Sequence, residues 1–492
     1  MKKNEYCSAA IIVCQWWGVS MYRTGIRFSS AAMRFALLAV LASLSGCSFY
    51  NQPYPPPNVH QQGYDLQVVQ VDDFGSLWDP KEAGNTLQAL KEVPQNENLL
   101  VVIFIHGWHH NAAAGDENLL DFKETMAALR SAVDTPQRSA VREAQTGSSK
   151  LNLVGIYVGW RGKSLPLPLD YATMWWRKSA AERVGDGDIS EFVERLDGIY
   201  LQRNATAEGK QPGQRPFMGL VTIGHSFGAQ VLFRSISRAL EYPLVQRAPC
   251  EAQILAPNAN TSNRTMVQNP VDSLGDLNIL VNPALEAYQF GRIDALYRQL
   301  AFSYTQTPQL VVFSADNDIP RQTYFPIGQA VNRPFRPGFR SADNDYQRAL
   351  WATALGDLQQ QQTHRLDLST KPDSLSDSDY GGSQPGKTVR EFDFSGETVF
   401  SGVKLEPLAP GVSGGPAATA NSPVIVAVTH DKIIDGHNGI FEPVFRNFLV
   451  QYVAYIEGKR FLLRSGESVA LRSAPGSQVQ SAKPASSQQC NE

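Results

Sequence analysis

A chain of 492 residues with 42% hydrophobic and 18% charged residues has the composition of a water-soluble globular protein, long enough for two ordinary domains or one elaborated α/β domain. Its formal net charge of −3 excludes the basic footprint of a nucleic-acid binder. The 5 cysteines, Cys7, Cys14, Cys47, Cys250 and Cys490, have no metal-type spacing, which excludes a zinc framework.

The first 46 residues read as a targeting segment. Phe35 to Leu44 is apolar but too short to span a bilayer as a stable helix, and Arg23, Arg27 and Arg34 precede it. Leu44-Ser45-Gly46-Cys47 follows and resembles a bacterial lipobox. That resemblance implies cleavage before Cys47, diacylglycerol on its thiol, and anchoring to a membrane. Ser48 at the next position resembles lipoproteins sorted to the outer membrane, with the protein facing the periplasm. An ordinary signal peptide or a membrane anchor is the alternative. Met33 or Met21 is a more natural start than Met1, because the basic region counted from Met1 is unusually long. Removing residues 1–46 leaves 39 basic against 46 acidic residues, a balance of −7, and only Cys250 and Cys490 as free thiols.

Residues 47–63, with Pro53, Pro55, Pro56 and Pro57, cannot bury a core and read as a tether. Leu66 to Val71 predicts a first strand, and Asn85 to Val93 a short helix. Leu99 to Ile105 is an unbroken apolar run that predicts a strand buried on both faces. It runs straight into His106-Gly107-Trp108-His109-His110-Asn111. Asn118 to Val133 predicts an amphipathic helix capped by Asp116. Leu151 to Val158 predicts a third strand, ending in Gly159-Trp160-Arg161-Gly162, and residues 170–203 are largely helical in pattern. Between them, Leu165, Leu167, Leu169, Tyr171, Met174, Trp175 and Trp176 are too many large apolar groups for a solvated connector. They either pack into the core or wall an apolar pocket.

Gly219 to Ile223 predicts another buried strand, and residues 229–240 a helix. Between them stands Gly224-His225-Ser226-Phe227-Gly228, a G-x-S-x-G pentapeptide in the strand, sharp turn, helix order that a nucleophile elbow needs. The glycines leave room where strand and helix crowd the turn. The N-terminus of that helix then sits beneath Ser226, and the Phe227 N–H faces a developing oxyanion. Residues 262–276 read as a loop, and Leu277 to Asn282 and Gln309 to Ser314 as strands. The second leads into Asp316-Asn317-Asp318-Ile319-Pro320. About a hundred residues of mixed pattern, 321–421, form an insertion before the last strong strand, Val424 to Val428. That strand leads into His430 and His437 and then a closing helix from Phe441 to Ile456. Residues 464–492 read as a disordered tail. Strands alternating with helices predict an α/β domain over residues 64–463 with a mostly parallel sheet flanked by helices.

Ser226, an acid and a base thus follow one another in chain order at strand ends, where open α/β sheets gather their reactive groups. This pattern, with the His106-to-Asn111 loop and Trp160-Arg161-Gly162, resembles the α/β-hydrolase superfamily over residues 99–456, closest to bacterial serine esterases and lipase-like proteins. Arg161 stands where many relatives have Pro, and Phe227 where many have Met. The resemblance implies Ser226 as nucleophile, His437 as base with His430 the alternative, and Asp316 as acid with Asp318 the alternative. It implies an oxyanion hole from the Trp108 and Phe227 N–H groups, an acyl-ester substrate, and no metal or organic cofactor. His225 is expected to pack beside the elbow, and Trp160 in the core or a pocket wall. An acyltransferase on the same residues, or a binding lipoprotein without catalysis, are the other readings of this pattern.

Overall fold

The computed structural model describes residues 52–55, 60–61, 63–162, 174–205, 216–248, 264–267, 269–303, 305–327, 345–374, 396–409 and 421–465. The expected targeting segment, Cys47, Cys250, Cys490, residues 163–173 and the expected tail from 466 onward lie outside them. The described residues from 55 onward belong to one compact unit, and the fold below is that of this unit.

In chain order the elements are β1 (His60–Gln61), β2 (Tyr64–Gln70), α1 (Pro80–Glu92), β3 (Asn98–Ile105), α2 (Glu117–Val133), α3 (Pro136–Thr146) and β4 (Leu151–Gly159). Next come α4 (Met174–Asp186), α5 (Asp188–Ala205), β5 (Met218–His225), α6 (Phe227–Val245), β6 (Thr265–Val267), β7 (Leu277–Val281), α7 (Ala287–Tyr297), β8 (Leu300–Phe302) and β9 (Leu310–Ala315). The last group is α8 (Asp345–Ala352), β10 (His364–Leu368), β11 (Thr398–Phe400), β12 (Val403–Pro407), β13 (Val424–Thr429) and α9 (Pro443–Ser465). Eleven strands form one sheet in the order β1-β2-β4-β3-β5-β7-β9-β13-β10-β12-β11. From β2 to β10 all neighbours run parallel; β1, β12 and β11 are antiparallel to theirs. The fold class is therefore the expected one: α/β, with a mostly parallel sheet flanked by helices.

The unbroken apolar strands are explained by what covers them. Every residue of β3 and β5 is buried. Side chains alternate between faces. Leu99, Val101, Ile103 and Ile105 join a core with Val184 of α4, Phe192 of α5 and Val231 of α6. Phe104, pointing the other way, stacks on Phe122 of α2 at 5.4 Å between ring centroids and meets Phe441 ahead of α9 at the same separation. Asp116 caps α2 as expected, its side chain accepting from the Asn118 N–H at 3.0 Å.

The structure differs from the expectation in three places. The first helix begins at Pro80, capped by Asp79 and with proline in its first turn, rather than at Asn85. Helices α3 and α7 were not legible as such. The expected insertion is part of the sheet: β10 pairs parallel with β13, and β12 and β11 extend the sheet beyond it. These strands are only three to five residues long, too short for periodicity to distinguish them from a loop.

The ends of the strands away from Ser226 carry a buried charge cluster that fixes α9. Asp276, fully buried just before β7, accepts from Arg460 Nε at 2.9 Å, Arg464 Nη2 at 2.7 Å, the Tyr200 hydroxyl at 2.7 Å and the Leu220 N–H at 3.1 Å. Burial pushes this carboxyl up, but the two arginines outweigh it and hold it below its ordinary value. At the same end of the sheet, Leu100, Val133, Leu151, Phe217, Phe461 and Leu462 line an apolar pocket of about 60 Å³. Asp276→Ala would leave the buried Arg460 and the half-buried Arg464 without this counter-charge, and stability should fall by about 3–5 kcal/mol. Urea unfolding followed by far-UV circular dichroism checks this; an unchanged midpoint contradicts the pinning role.

Candidate active site

The chain goes from β3 to β4 on one side and then crosses back to lay β5 on the other side of β3. Open α/β sheets have their crevice at such a switch point, outside the carboxyl ends of the strands. Ile105 pairs with Gly224, so His106-Gly107 and His225-Ser226 leave the sheet side by side.

Ser226 sits between β5 and α6 with φ 57° and ψ −122°, a strained backbone for a residue with a side chain. Its N–H donates to the Val281 carbonyl at 3.0 Å, and its own carbonyl accepts from the Ala229, Gln230 and Ala284 N–H groups. The elbow glycines are required by close approach. A Cβ on Gly224 would lie 2.7 Å from the Ala229 Cα, and one on Gly228 would strike the carbonyls of Ile105 and His106. Gly107 is equally tight: a Cβ there would lie 2.8 Å from the Ser226 Cβ. The loop from His106 to Asn111 is thus pressed directly against the serine.

That loop is fixed by its own polar groups. The His106 ring, fully buried, donates from Nδ1 to the Gly107 carbonyl at 2.9 Å and accepts at Nε2 from the Trp160 N–H at 3.0 Å. The Trp160 indole N–H donates back to the His106 carbonyl at 2.7 Å. Burial pushes the His106 imidazole down to about 4, so it remains neutral. Asp116 takes the Asn111 N–H at 3.1 Å and lies 3.2 Å from His110 Nδ1. Trp108 and Phe227 are both buried, with rings 6.4 Å apart. The Phe227 N–H is in the first turn of α6, where N–H groups have no partner within the helix.

His437 meets the serine: its Nε2 lies 2.6 Å from Ser226 Oγ. Its Nδ1 lies 2.7 Å from Asp318 Oδ2. The alternative base, His430, is elsewhere, paired through Nε2 with Asp367 of β10 at 3.0 Å. His225 packs beside the elbow, donating from Nε2 to the His437 carbonyl at 2.9 Å, and burial holds it well below its ordinary value.

Of the two carboxylates considered as the acid, the structure brings Asp318, and not the favoured Asp316, to His437. The Asp316 N–H donates to the Thr429 carbonyl at 2.8 Å, continuing the β9–β13 pairing, and its side chain points to solvent. The chain then turns at residues 316–317, and Asp318 is the first carboxylate to come back over the sheet, fully buried. Burial pushes Asp318 up, yet His437, Arg321 and the hydrogen bonds from both hold it well below the usual carboxylate range. It stays ionised across the whole neutral range.

Three further residues, not singled out in the sequence, hold this geometry. Asn282, at φ 45° just after β7, donates to the carbonyls of Gly436 at 3.1 Å and His437 at 3.0 Å, while its own side-chain oxygen accepts from the Ala315 N–H at 2.9 Å. Asn317 accepts from the Gly436 N–H at 3.0 Å and donates to Asp435 at 2.9 Å. Arg321 lies against Asp318. A polar residue at the end of a buried strand, Asn282 before Pro283, was the one available signal.

Of the aromatic run expected either to pack into the core or to wall a pocket, residues 165–173 lie outside the described ones. Met174 is core, and Trp175 packs against the core with its ring 6.2 Å from Phe325. Trp176 is 71% exposed. Arg161 shares Asp73 with Arg177, at 3.2 and 2.8 Å.

No protein-family model matches the chain, and no curated protein matches it. Among solved structures it is similar to an inhibited esterase B from Lactobacillus rhamnosis, at 15% identity, with 62% of this chain and 80% of that chain covered and a TM-score of 0.17. What the site can do follows from its own side chains.

The two aspartates give opposite expectations. Asp318→Asn should slow fluorophosphonate labelling of Ser226 by about 10³- to 10⁴-fold, because the amide no longer fixes the imidazole tautomer. Asp316→Asn should change the rate by less than about twofold, as expected of an exposed surface residue. Intact-protein mass spectrometry over time measures both; the reverse ranking would restore Asp316.

Proposed function

We propose that this protein is a serine hydrolase that cleaves esters through an acyl-enzyme intermediate. The observation that carries the reading is the unbroken row from Ser226 Oγ through the His437 ring to Asp318, at 2.6 and 2.7 Å. A serine hydroxyl is too weak an acid to attack unaided. The ionised Asp318 keeps the His437 proton on Nδ1, which leaves Nε2 free to take the Ser226 proton as Oγ attacks the ester carbonyl. The Phe227 and Trp108 N–H groups are the donors for the resulting oxyanion. His437 then returns the proton to the departing alcohol. Water attacks the acyl-enzyme by the same route, with His437 as base and Ser226 as leaving group.

Ser226→Ala should abolish hydrolysis of p-nitrophenyl esters without loss of fold. His437→Ala should cost nearly as much, and the double variant little more, since the residues act as a unit. The assay is run across acyl chain lengths from acetyl upward, which also defines the acyl group. Hydrolysis by Ser226→Ala close to wild type would remove the serine from the reaction.

We place the enzyme on the periplasmic face of a bacterial outer membrane, held by lipid on Cys47. The support is the Leu44-Ser45-Gly46-Cys47 sequence with Ser48 after it. One acyl chain alone binds a bilayer only marginally, so stable anchoring takes several together. Cys47→Ser should move the protein from the membrane fraction to the soluble fraction; a wild-type protein recovered soluble with an unmodified Cys47 contradicts the anchor.

A further inference from the structure

The carboxylate that orients His437 is itself held by a buried arginine, and behind the arginine stands a second carboxylate. Arg321 lies in the π-helical turn Pro320–Tyr324 that follows Asp318, with its side chain fully buried. Its N–H donates to Asp318 Oδ1 at 3.0 Å, and its Nε lies 3.0 Å from Asp318 Oδ2, the oxygen that faces His437. Nη1 donates to Ser314 Oγ at 2.7 Å, and Nη2 to the Ala315 carbonyl at 2.9 Å and to Asp357 Oδ1 at 2.7 Å. Asp357 arrives from a different part of the chain, after α8, through Gly356. Gly356 has φ +93° and packs so closely that a Cβ would strike the Ser314 hydroxyl. The backbone is shaped to bring this carboxylate against the guanidinium.

The charges along the row explain why two carboxylates are useful. Arginine is charged at every pH of interest. With Asp318 and Asp357 ionised and His437 neutral, the row from Asp357 to His437 carries one negative charge. When His437 takes a proton, the row becomes neutral. Without Asp357 the same proton would leave a net positive charge in a largely desolvated place, which is unfavourable. Burial pushes Asp357 up to about 6, against the pull of Arg321, so its charge is present at neutral pH and is lost on acidification. The other groups facing Asp357 are Gln322 from the same turn as Arg321, Asp318 from the acid loop and His437 from the loop before α9. His437 in turn faces Ser226 and His225 from the end of β5, and His225 is held neutral by burial.

We infer that Asp357 is a positioning residue that acts through Arg321, supplying the counter-charge that balances His437 when it becomes an imidazolium. The inference rests on the proposed serine-hydrolase reading for its effect on rate, but not for its effect on the imidazole itself. The test uses the full chain with ¹³C-labelled histidine, His437 being assigned with His437→Gln. Removing a negative charge makes the imidazolium less favourable, so Asp357→Asn should move the His437 titration to lower pH by about half a unit. The acid limb of kcat/KM for a p-nitrophenyl ester should move the same way. A residue with a merely structural role would lower the melting temperature and leave the titration in place. Should the asparagine variant not fold, Asp357→Leu removes the same charge with an apolar group and carries the same expectation. An unmoved His437 titration in either folded variant overturns the inference. A moved titration with no hydrolysis by the wild type sustains the counter-charge and refutes the hydrolase instead.

Discussion

The backbone carbonyl of His437 accepts hydrogen bonds from the His225 ring at 2.9 Å and the Asn282 amide at 3.0 Å, and the site depends on that double grip. His437 belongs to a loop more than two hundred residues downstream of Ser226, so nothing local brings the two together. His225 is the residue before Ser226, and Asn282 directly follows the strand next to it. Both are set by the register of the sheet. Because β5, β7, β9 and β13 run parallel, their carboxyl ends lie along one edge, and polar groups at those ends can reach one another. The Asn282 side chain spans this edge, taking the Ala315 N–H on the acid strand and two carbonyls on the base loop. A loop held in this way keeps its imidazole aimed without help from substrate.

A second constraint is crowding. The loop after β3, the elbow after β5 and the turn after β4 meet at glycines: Gly107 against Ser226, Gly228 against the end of β3, and Gly162 with its Cβ position 2.6 Å from the His110 carbonyl. Close packing of backbone on backbone leaves no space for side chains, so the N–H groups of this region are brought near the serine. His106 is the fastener: kept neutral by burial, it donates from one nitrogen and accepts at the other, and a charged ring could not do both.

The parallel sheet was legible because its strands are buried on both faces and therefore read as unbroken apolar runs, β3 and β5 above all. Ser226 and His437 were legible because a sharp turn at a strand end and a polar loop before a closing helix leave sequence signatures. The sequence pattern favoured Asp316 over Asp318, whereas the structure brings Asp318 to His437, and the reason is physical. Sequence shows Asp316 and Asp318 as equivalent carboxylates after one strand, and only the extra pairing of Asp316 with Thr429 decides which turns inward. Asn282 left only the signal of a polar residue at a strand end, and Asp357 left none, because each does its work through partners far away in the chain. The short strands β10 to β12 were missed because three to five residues leave too little pattern.

The central claim is that Ser226 carries the acyl group during turnover. The direct measurement is an acid quench of the wild-type protein in the steady state of p-nitrophenyl ester hydrolysis, followed by peptide mass spectrometry. The account predicts one acyl group, attached to the peptide containing Ser226, on a fraction of molecules that rises as deacylation is slowed. Steady turnover with that peptide unmodified, or with the acyl group on another residue, would contradict it.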